Sequence, residues 1–204
     1  IAQTLYLLGD KIKPQMRKKA MQVLYQRVFN PALQAIKTNN QNKEFKSLLD
    51  MGNHNSVTLS GVTNAALSVI KSREERATFI AIAERYSKNG LAGFSNDGYC
   101  SEGVAYYNYG MSYYNLLRET IWQATSGKVD IFNDPKVKNI GLFIPKMEII
   151  NGVYPAIGDC SAIPKPSGPV VYYLNRNFNL GLTEFDSVTA PAKQPLTNLM
   201  YFFP

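Results

Sequence analysis

The tightest constraint on this chain is the run Ser72-Arg73-Glu74-Glu75, a serine followed three residues on by a glutamate, immediately ahead of apolar residues at helical spacing. A hydroxyl and a carboxylate placed this way satisfy backbone N–H groups that an opening helix leaves unbonded. The run therefore predicts a helix through Phe79, Ile82, Ala83 and Tyr86 to a stop at Asn89-Gly90. Further helical segments flank it on both sides. Helices in series with short connections pack as antiparallel neighbours, so the expected class is mainly α.

The other segments follow from the same rules. Pro14 to Lys37 reads as a helix interrupted or kinked at Pro31, followed by a polar loop from Thr38 to Lys43. A short apolar piece, Phe45 to Met51, leads into Gly52-Asn53-His54-Asn55, read as a loop that opens a helix from Ser56 to Ile70, rich in small residues that allow close packing. Residues 91 to 103 carry three glycines and an Asn-Asp-Gly turn signal, so they form a loop before a helix over Val104 to Ala124. Asp134-Pro135 opens one more helix, to about Phe143. Eight of the eleven prolines lie from Pro145 onward, and Val170 to Leu174 and Leu199 to Phe203 are short and β-prone. The expectation is a helical part over 1–150 and an extended, β-forming part over 151–204. Tyr201-Phe202-Phe203-Pro204 reads as the start of a sheet-rich region cut short.

Charge and composition narrow the function classes. A formal charge of +7, with nine Lys/Arg against three acids in residues 1–50, attracts polyanions without choosing among nucleic acid, anionic membrane and acidic polysaccharide. No apolar run reaches the roughly 20 residues of a membrane span, and any export signal is expected ahead of Ile1. Cys100 and Cys160 are the only cysteines, too few for a zinc cluster or a disulfide framework, although one disulfide can form. With His54 the sole histidine, no metal and no cofactor are expected.

Two segments carry groups suited to chemistry. Tyr106, Tyr109, Gly110 and Tyr113 share one helical face, which serves either as core packing with hydroxyls at the rim or as a groove wall where rings stack on sugars. His54, between Asn53 and Asn55, is either a structural histidine or part of a cluster of amides and imidazole at a helix entrance, where backbone N–H groups favour a carboxylate.

Gly52-Asn53-His54-Asn55-Ser56, Asn96-Asp97-Gly98-Tyr99 with Glu102-Gly103, and Tyr106-Tyr107-Asn108-Tyr109-Gly110 together resemble the heparinase II/III and alginate lyase superfamily of (α/α) toroid polysaccharide lyases. Gly127 to Asp134 and Tyr154-Pro155-Ala156-Ile157-Gly158-Asp159 extend the resemblance, which covers roughly residues 50 to 160. It implies an incomplete toroid of antiparallel helix pairs followed by the beginning of a β-sandwich. It also implies β-elimination beside a uronic acid in an acidic polysaccharide, by a periplasmic or secreted protein. Asn53 would bind the carboxylate, His54 would act as base or charge neutraliser, and Tyr106 would act as acid, often also as base. Asn55, Glu102, Tyr109 and Tyr113 would contact substrate. At His54 the pattern follows the alginate lyase members, and at Glu102-Gly103 the heparinase members. The competing readings are a toroid glycoside hydrolase, whose carboxylates would be Asp97 and Glu102, and a module that only binds acidic glycan. Nucleic-acid binding fits less well, because most tyrosines and the lysines lie in separate segments.

Overall fold

A helix that the sequence reading did not anticipate opens the chain: α1 (Ala2–Leu8) has no capping side chain at its start and ends under Arg17, whose guanidinium donates to the carbonyls of Leu5 (2.9 Å) and Gly9 (2.7 Å). A cation on the last carbonyls satisfies acceptors that the helix itself cannot. The computed structural model describes residues 1–39 and 45–185. Most of the loop expected over Thr38 to Lys43, and the whole of Leu199 to Pro204, lie outside the described residues.

The helix expected from Pro14 to Lys37 is α2 (Pro14–Leu24), a π-helical turn (Tyr25–Phe29) and α3 (Asn30–Lys37). Pro31 explains the wide turn. It has no N–H, and its ring would press on the carbonyl four residues back, so the chain bonds Asn30 N–H to Tyr25 O and opens the turn ahead of the proline. After α4 (Lys46–Leu49) comes α5 (Asn53–Val69), joined to α6 (Arg73–Leu91) by only three residues, Ile70 to Ser72. Ser72 Oγ accepts from the Glu75 N–H at 3.2 Å, as the capping motif requires. The Glu75 carboxylate turns away and accepts from the Tyr25 hydroxyl at 3.0 Å, tying α6 to the preceding helical unit.

Helix α6 runs one residue past the expected Asn89-Gly90 stop, and Gly90 lies within it. A Cβ there would sit 2.5 Å from Ser56 Oγ, so Gly90 marks a close helix crossing.

At the centre stands α7 (Gly103–Ala124), packed by α5, α6 and a later helix over residues 168–178. Its Val104, Tyr107, Met111, Tyr114, Leu117 and Ile121 recur at three- and four-residue spacing and are essentially fully buried. Burial of a side chain such as Leu117 or Met111 stabilises by about 1.5–3 kcal/mol, which makes this stripe the main apolar seam of the molecule. The short helices α8 (Pro135–Gly141), capped by Asp134 Oδ1 on the Lys136 N–H at 3.0 Å, and α9 (Phe143–Met147) follow.

The extended layer expected after residue 150 is corrected in part. Residues 168–178 form α10 (Gly168–Phe178), so the β-prone run Val170 to Leu174 is helical. Val170, Val171, Tyr173 and Leu174 are buried, and burial on α7 and α8 outweighs their strand propensity. Pro169, in the first turn, suits a helix start as well as an extended chain. Among the described residues the β pairings are two isolated bridges, Phe94 with Cys100 and Ile150 with Val153.

Polar bonds lock α10 to α7. Arg118, four residues after Tyr114 and buried with it on the same side of α7, donates to both Asp130 oxygens (2.9 and 2.7 Å) and to the Tyr173 hydroxyl (3.1 Å). Its guanidinium also lies 4.3 Å from the Trp122 ring centre. The Tyr173 hydroxyl donates to Glu119, which also accepts from Gln123 Nε2 at 2.8 Å. Burial alone would raise the Asp130 carboxyl, but the Arg118 guanidinium and the Phe132 N–H hold it below the usual carboxylate range.

The Asn96-Asp97-Gly98-Tyr99 turn docks on the end of α8. Asn139 Nδ2 donates to Asn96 O at 2.8 Å, and Lys146 Nζ donates to Asp97 O at 3.2 Å. Gly98 has φ +92°, and a Cβ on it would lie 2.1 Å from Asn139 O and 2.6 Å from Ile140 N, both backbone atoms.

Gly98→Ala combines a left-handed φ with a backbone clash, and equilibrium denaturation should show a loss of more than about 2 kcal/mol; a cost within experimental error would refute this docking. Because Asp130 has a lower pKa folded than its unfolded value of about 3.9, its bond contributes fully above roughly pH 4 and is lost as pH falls through the folded value. Asp130→Asn should cost about 3 kcal/mol at neutral pH, and its stability should fall less steeply below pH ~4 than that of the parent.

Candidate functional site

The first turn of α5 meets the first half of α7. Helix α5 begins at Asn53, three residues earlier than expected, so Asn53, His54 and Asn55 lie in a helical turn and not in the preceding loop. Gly52 caps it, and its N–H donates to Asn89 O at 2.8 Å. The Asn89 side chain donates to Leu49 O at 3.1 Å, so one asparagine at the end of α6 holds both sides of the α5 entry.

Asn53 is 9% exposed and its amide is fixed from two directions. Nδ2 donates to Glu102 Oε2 at 3.1 Å. The amide oxygen rests over the Cα of Gly110, where a Cβ would stand only 2.1 Å from it. Glu102 and Gly110 are eight residues apart, with Tyr106 four residues from each, so helical spacing puts Tyr106 on the strip between the two contacts of Asn53. Tyr113 continues the strip one turn beyond Gly110. Tyr106 and Tyr113 are half-buried, Tyr109 is exposed, and the Tyr109 and Tyr113 rings meet edge to face at 5.3 Å between centres.

The tyrosines of α7 thus divide by face. Tyr107 is buried between Phe143, stacked at 5.0 Å, and Phe94, and burial pushes its phenol far up. Tyr114, also pushed up by burial, donates to Ile131 O at 3.1 Å. Neither is available as an acid or base at neutral pH. Tyr154, pushed up to about 12 by burial and then by Glu148 and Glu184, is not available either.

His54 is exposed, one residue and about 100° around the helix from Asn53. The N–H groups of Asn55 and Ser56 bond back to the Gly52 carbonyl, and the N–H end of the helix dipole gives this turn a positive end. Asn55, expected at the substrate, is corrected: it is fully buried and donates to Leu48 O at 2.7 Å, bracing α4 against α5. The cause is helical geometry, since the third residue of the α5 turn faces inward once the helix starts at Asn53. Glu102, also expected at the substrate, is exposed at the N-cap position of α7 and spends an oxygen on Asn53.

The Tyr154–Asp159 segment also comes to this place. A Cβ on Gly158 would lie 2.7 Å from the carbonyl of Glu102, so the turn rests directly on the backbone that presents Glu102. Asn108 was not singled out from the sequence, although it stands among the tyrosines. Its side chain donates to Lys165 O and accepts from Ser167 N–H, both at 2.8 Å, clasping the entry of α10 to the solvent side of α7. The carboxylate of Asp97 is taken up within its own turn by the Ser95 hydroxyl and the Tyr99 N–H, and the Ser95 bond holds it below the usual range.

No known family profile matches the chain, and no curated protein matches it.

Gly110→Ala tests the seat of Asn53. The gain in helix propensity, about 1 kcal/mol, offsets a lost hydrogen bond of similar size, so denaturation should shift by less than about 1 kcal/mol. The side-chain amide resonances of Asn53, identified by their loss in Asn53→Ala, should move sharply in Gly110→Ala; unchanged resonances would refute the close approach.

Proposed function

We propose that this chain is the catalytic helical part of a polysaccharide lyase related to the heparinase II/III and alginate lyase superfamily. It cleaves glycans that contain uronic acid by β-elimination, outside the cytoplasm, with residues 1–150 forming part of an (α/α) toroid. The observation that carries this reading is the Asn53 amide, fixed by Glu102 and seated on Gly110, with Tyr106 on the strip between them.

Elimination needs the C6 carboxylate neutralised, the C5 proton removed and the departing O4 oxygen protonated. One N–H of the Asn53 amide is spent on Glu102, and the other is left for the sugar carboxylate. The positive N-terminal end of α5 adds favourable potential for that anion. Tyr106 supplies a phenol that can give its proton to O4. His54 or the Tyr106 phenolate takes the C5 proton; the electron pair forms the C4–C5 double bond as the C4–O4 bond breaks. Tyr109 and Tyr113 offer ring faces and hydroxyls to neighbouring sugars. The hydrolase reading has less behind it, because Asp97 closes its own turn and Glu102 holds Asn53, which leaves neither poised across a glycosidic bond.

Heparan, chondroitin, hyaluronan and alginate, offered separately, should include one that gives the ultraviolet absorbance of an unsaturated uronate. Tyr106→Phe should lower kcat by about 10²–10⁴-fold, and His54→Ala and Asn53→Ala should each lower turnover on the same substrate. Folded protein producing no unsaturated product from any acidic glycan would sink the proposal.

A further inference from the structure

Residues 1–19 take no part in the steps above and fold into a corner. Arg17, in the first turn of α2, donates to the carbonyls of Leu5 (2.9 Å) and Gly9 (2.7 Å), so the start of α2 is drawn over the end of α1. Gly9, at φ +48°, opens the 3₁₀ turn Gly9–Lys11 that redirects the chain between the two helices. Leu5 is buried and Ile12 packs against the core, which anchors the inner side of the corner. Its outer side is apolar: Tyr6, Leu7, Leu8 and Met16 are 66, 61, 46 and 63% exposed. A lone exposed leucine is ordinary, but several large apolar side chains on one short stretch mark a surface that meets a partner.

The charge of the same stretch identifies the partner. Lys11 and Lys13 lie on the connection between the helices, and Lys18 and Lys19 follow Met16 on α2; all four are exposed. Among the described residues none of the four is paired with a carboxylate. Asp10 is the only acid in residues 1–39, against seven Lys/Arg. A nucleic acid or an acidic glycan would satisfy the lysines but would give Leu7, Leu8 and Met16 nothing apolar to enter. A bilayer with anionic headgroups satisfies both, because ammonium groups stay at the headgroups while aliphatic and aromatic side chains reach the acyl boundary. We propose that the α1–α2 corner docks on an anionic lipid surface, with Tyr6, Leu7, Leu8 and Met16 entering the interface and the four lysines facing its charge. The attachment is peripheral, since α1 has seven residues, far short of a span. It is a second property of the chain, separate from the lyase reading.

The test is sedimentation of the folded chain with vesicles of phosphatidylglycerol mixed with phosphatidylcholine, against vesicles of phosphatidylcholine alone. The chain should sediment with the anionic vesicles only, and added salt should release much of it. Lys18→Gln with Lys19→Gln should lower the partition at least about tenfold, and Leu7→Ser with Leu8→Ser should do the same while Tm stays near that of the parent. Binding that survives the leucine changes is adsorption by charge alone, as to any polyanion, and overturns the proposal. So does a parent that fails to bind the anionic vesicles, or one that forms a dimer through Leu7 and Leu8 without lipid, which would give this surface to a second copy. Sedimentation needs no turnover, so failure here and failure of the lyase reading are separate results.

Discussion

The close approach of α5 to α7 is the contact on which the rest of the site depends. It is possible because position 110 has no side chain, and the space is taken by the Asn53 amide. A Cβ there would displace the Asn53 amide from its seat, and with it the bond to Glu102. A second tight crossing, Gly90 against Ser56, holds the other side of α5. In each crossing the neighbouring helix supplies the glycine, and α5 fills the space with Asn53 or Ser56.

Around this contact the molecule divides its polar groups into those that hold helices and those left at the surface. Arg118, Glu119, Asp130 and Tyr173 are charged or polar and nearly enclosed, and their bonds to one another join α7 to α10. Charges buried this way gain little net stability over an apolar packing, but removal of one partner leaves another uncompensated. They therefore fix how α10 sits more than how strongly it binds. His54, Glu102 and Tyr109 remain exposed, and Tyr106 and Tyr113 half-exposed.

The turns on either side of α7 do comparable work by backbone docking. Gly98 rests on the end of α8, and Gly158 rests on Glu102 at the start of α7, so two loops distant in sequence are seated by close backbone contact. Glycine runs in this chain consequently mark points of assembly as well as turns. This accounts for the proximity of the Asn96–Tyr99, Glu102-Gly103 and Tyr154–Asp159 motifs, which are separated by up to about sixty residues.

Local signals fixed the helices of the middle of the chain. The Ser72 cap, the Asp134-Pro135 start and the periodic apolar residues of α7 act over one or two turns, and such interactions are the same in the sequence as in the fold. The pairing of the Asn53 and Tyr106 segments was legible as a pattern, but its physical form was not, since the seat on Gly110 and the bond to Glu102 join residues about fifty apart. Asn55 shows the same limit: whether an asparagine in the run Asn53-His54-Asn55 faces a groove or the core depends on where the helix begins. That start is set by Gly52 and Asn89, which meet only in the folded chain. Val170 to Leu174 is the clearest case. Its β-branched and aromatic residues suit a strand locally, and burial against α7 and α8 made it a helix. Propensities of a few tenths of a kcal/mol per residue yield to burial worth a few kcal/mol per side chain.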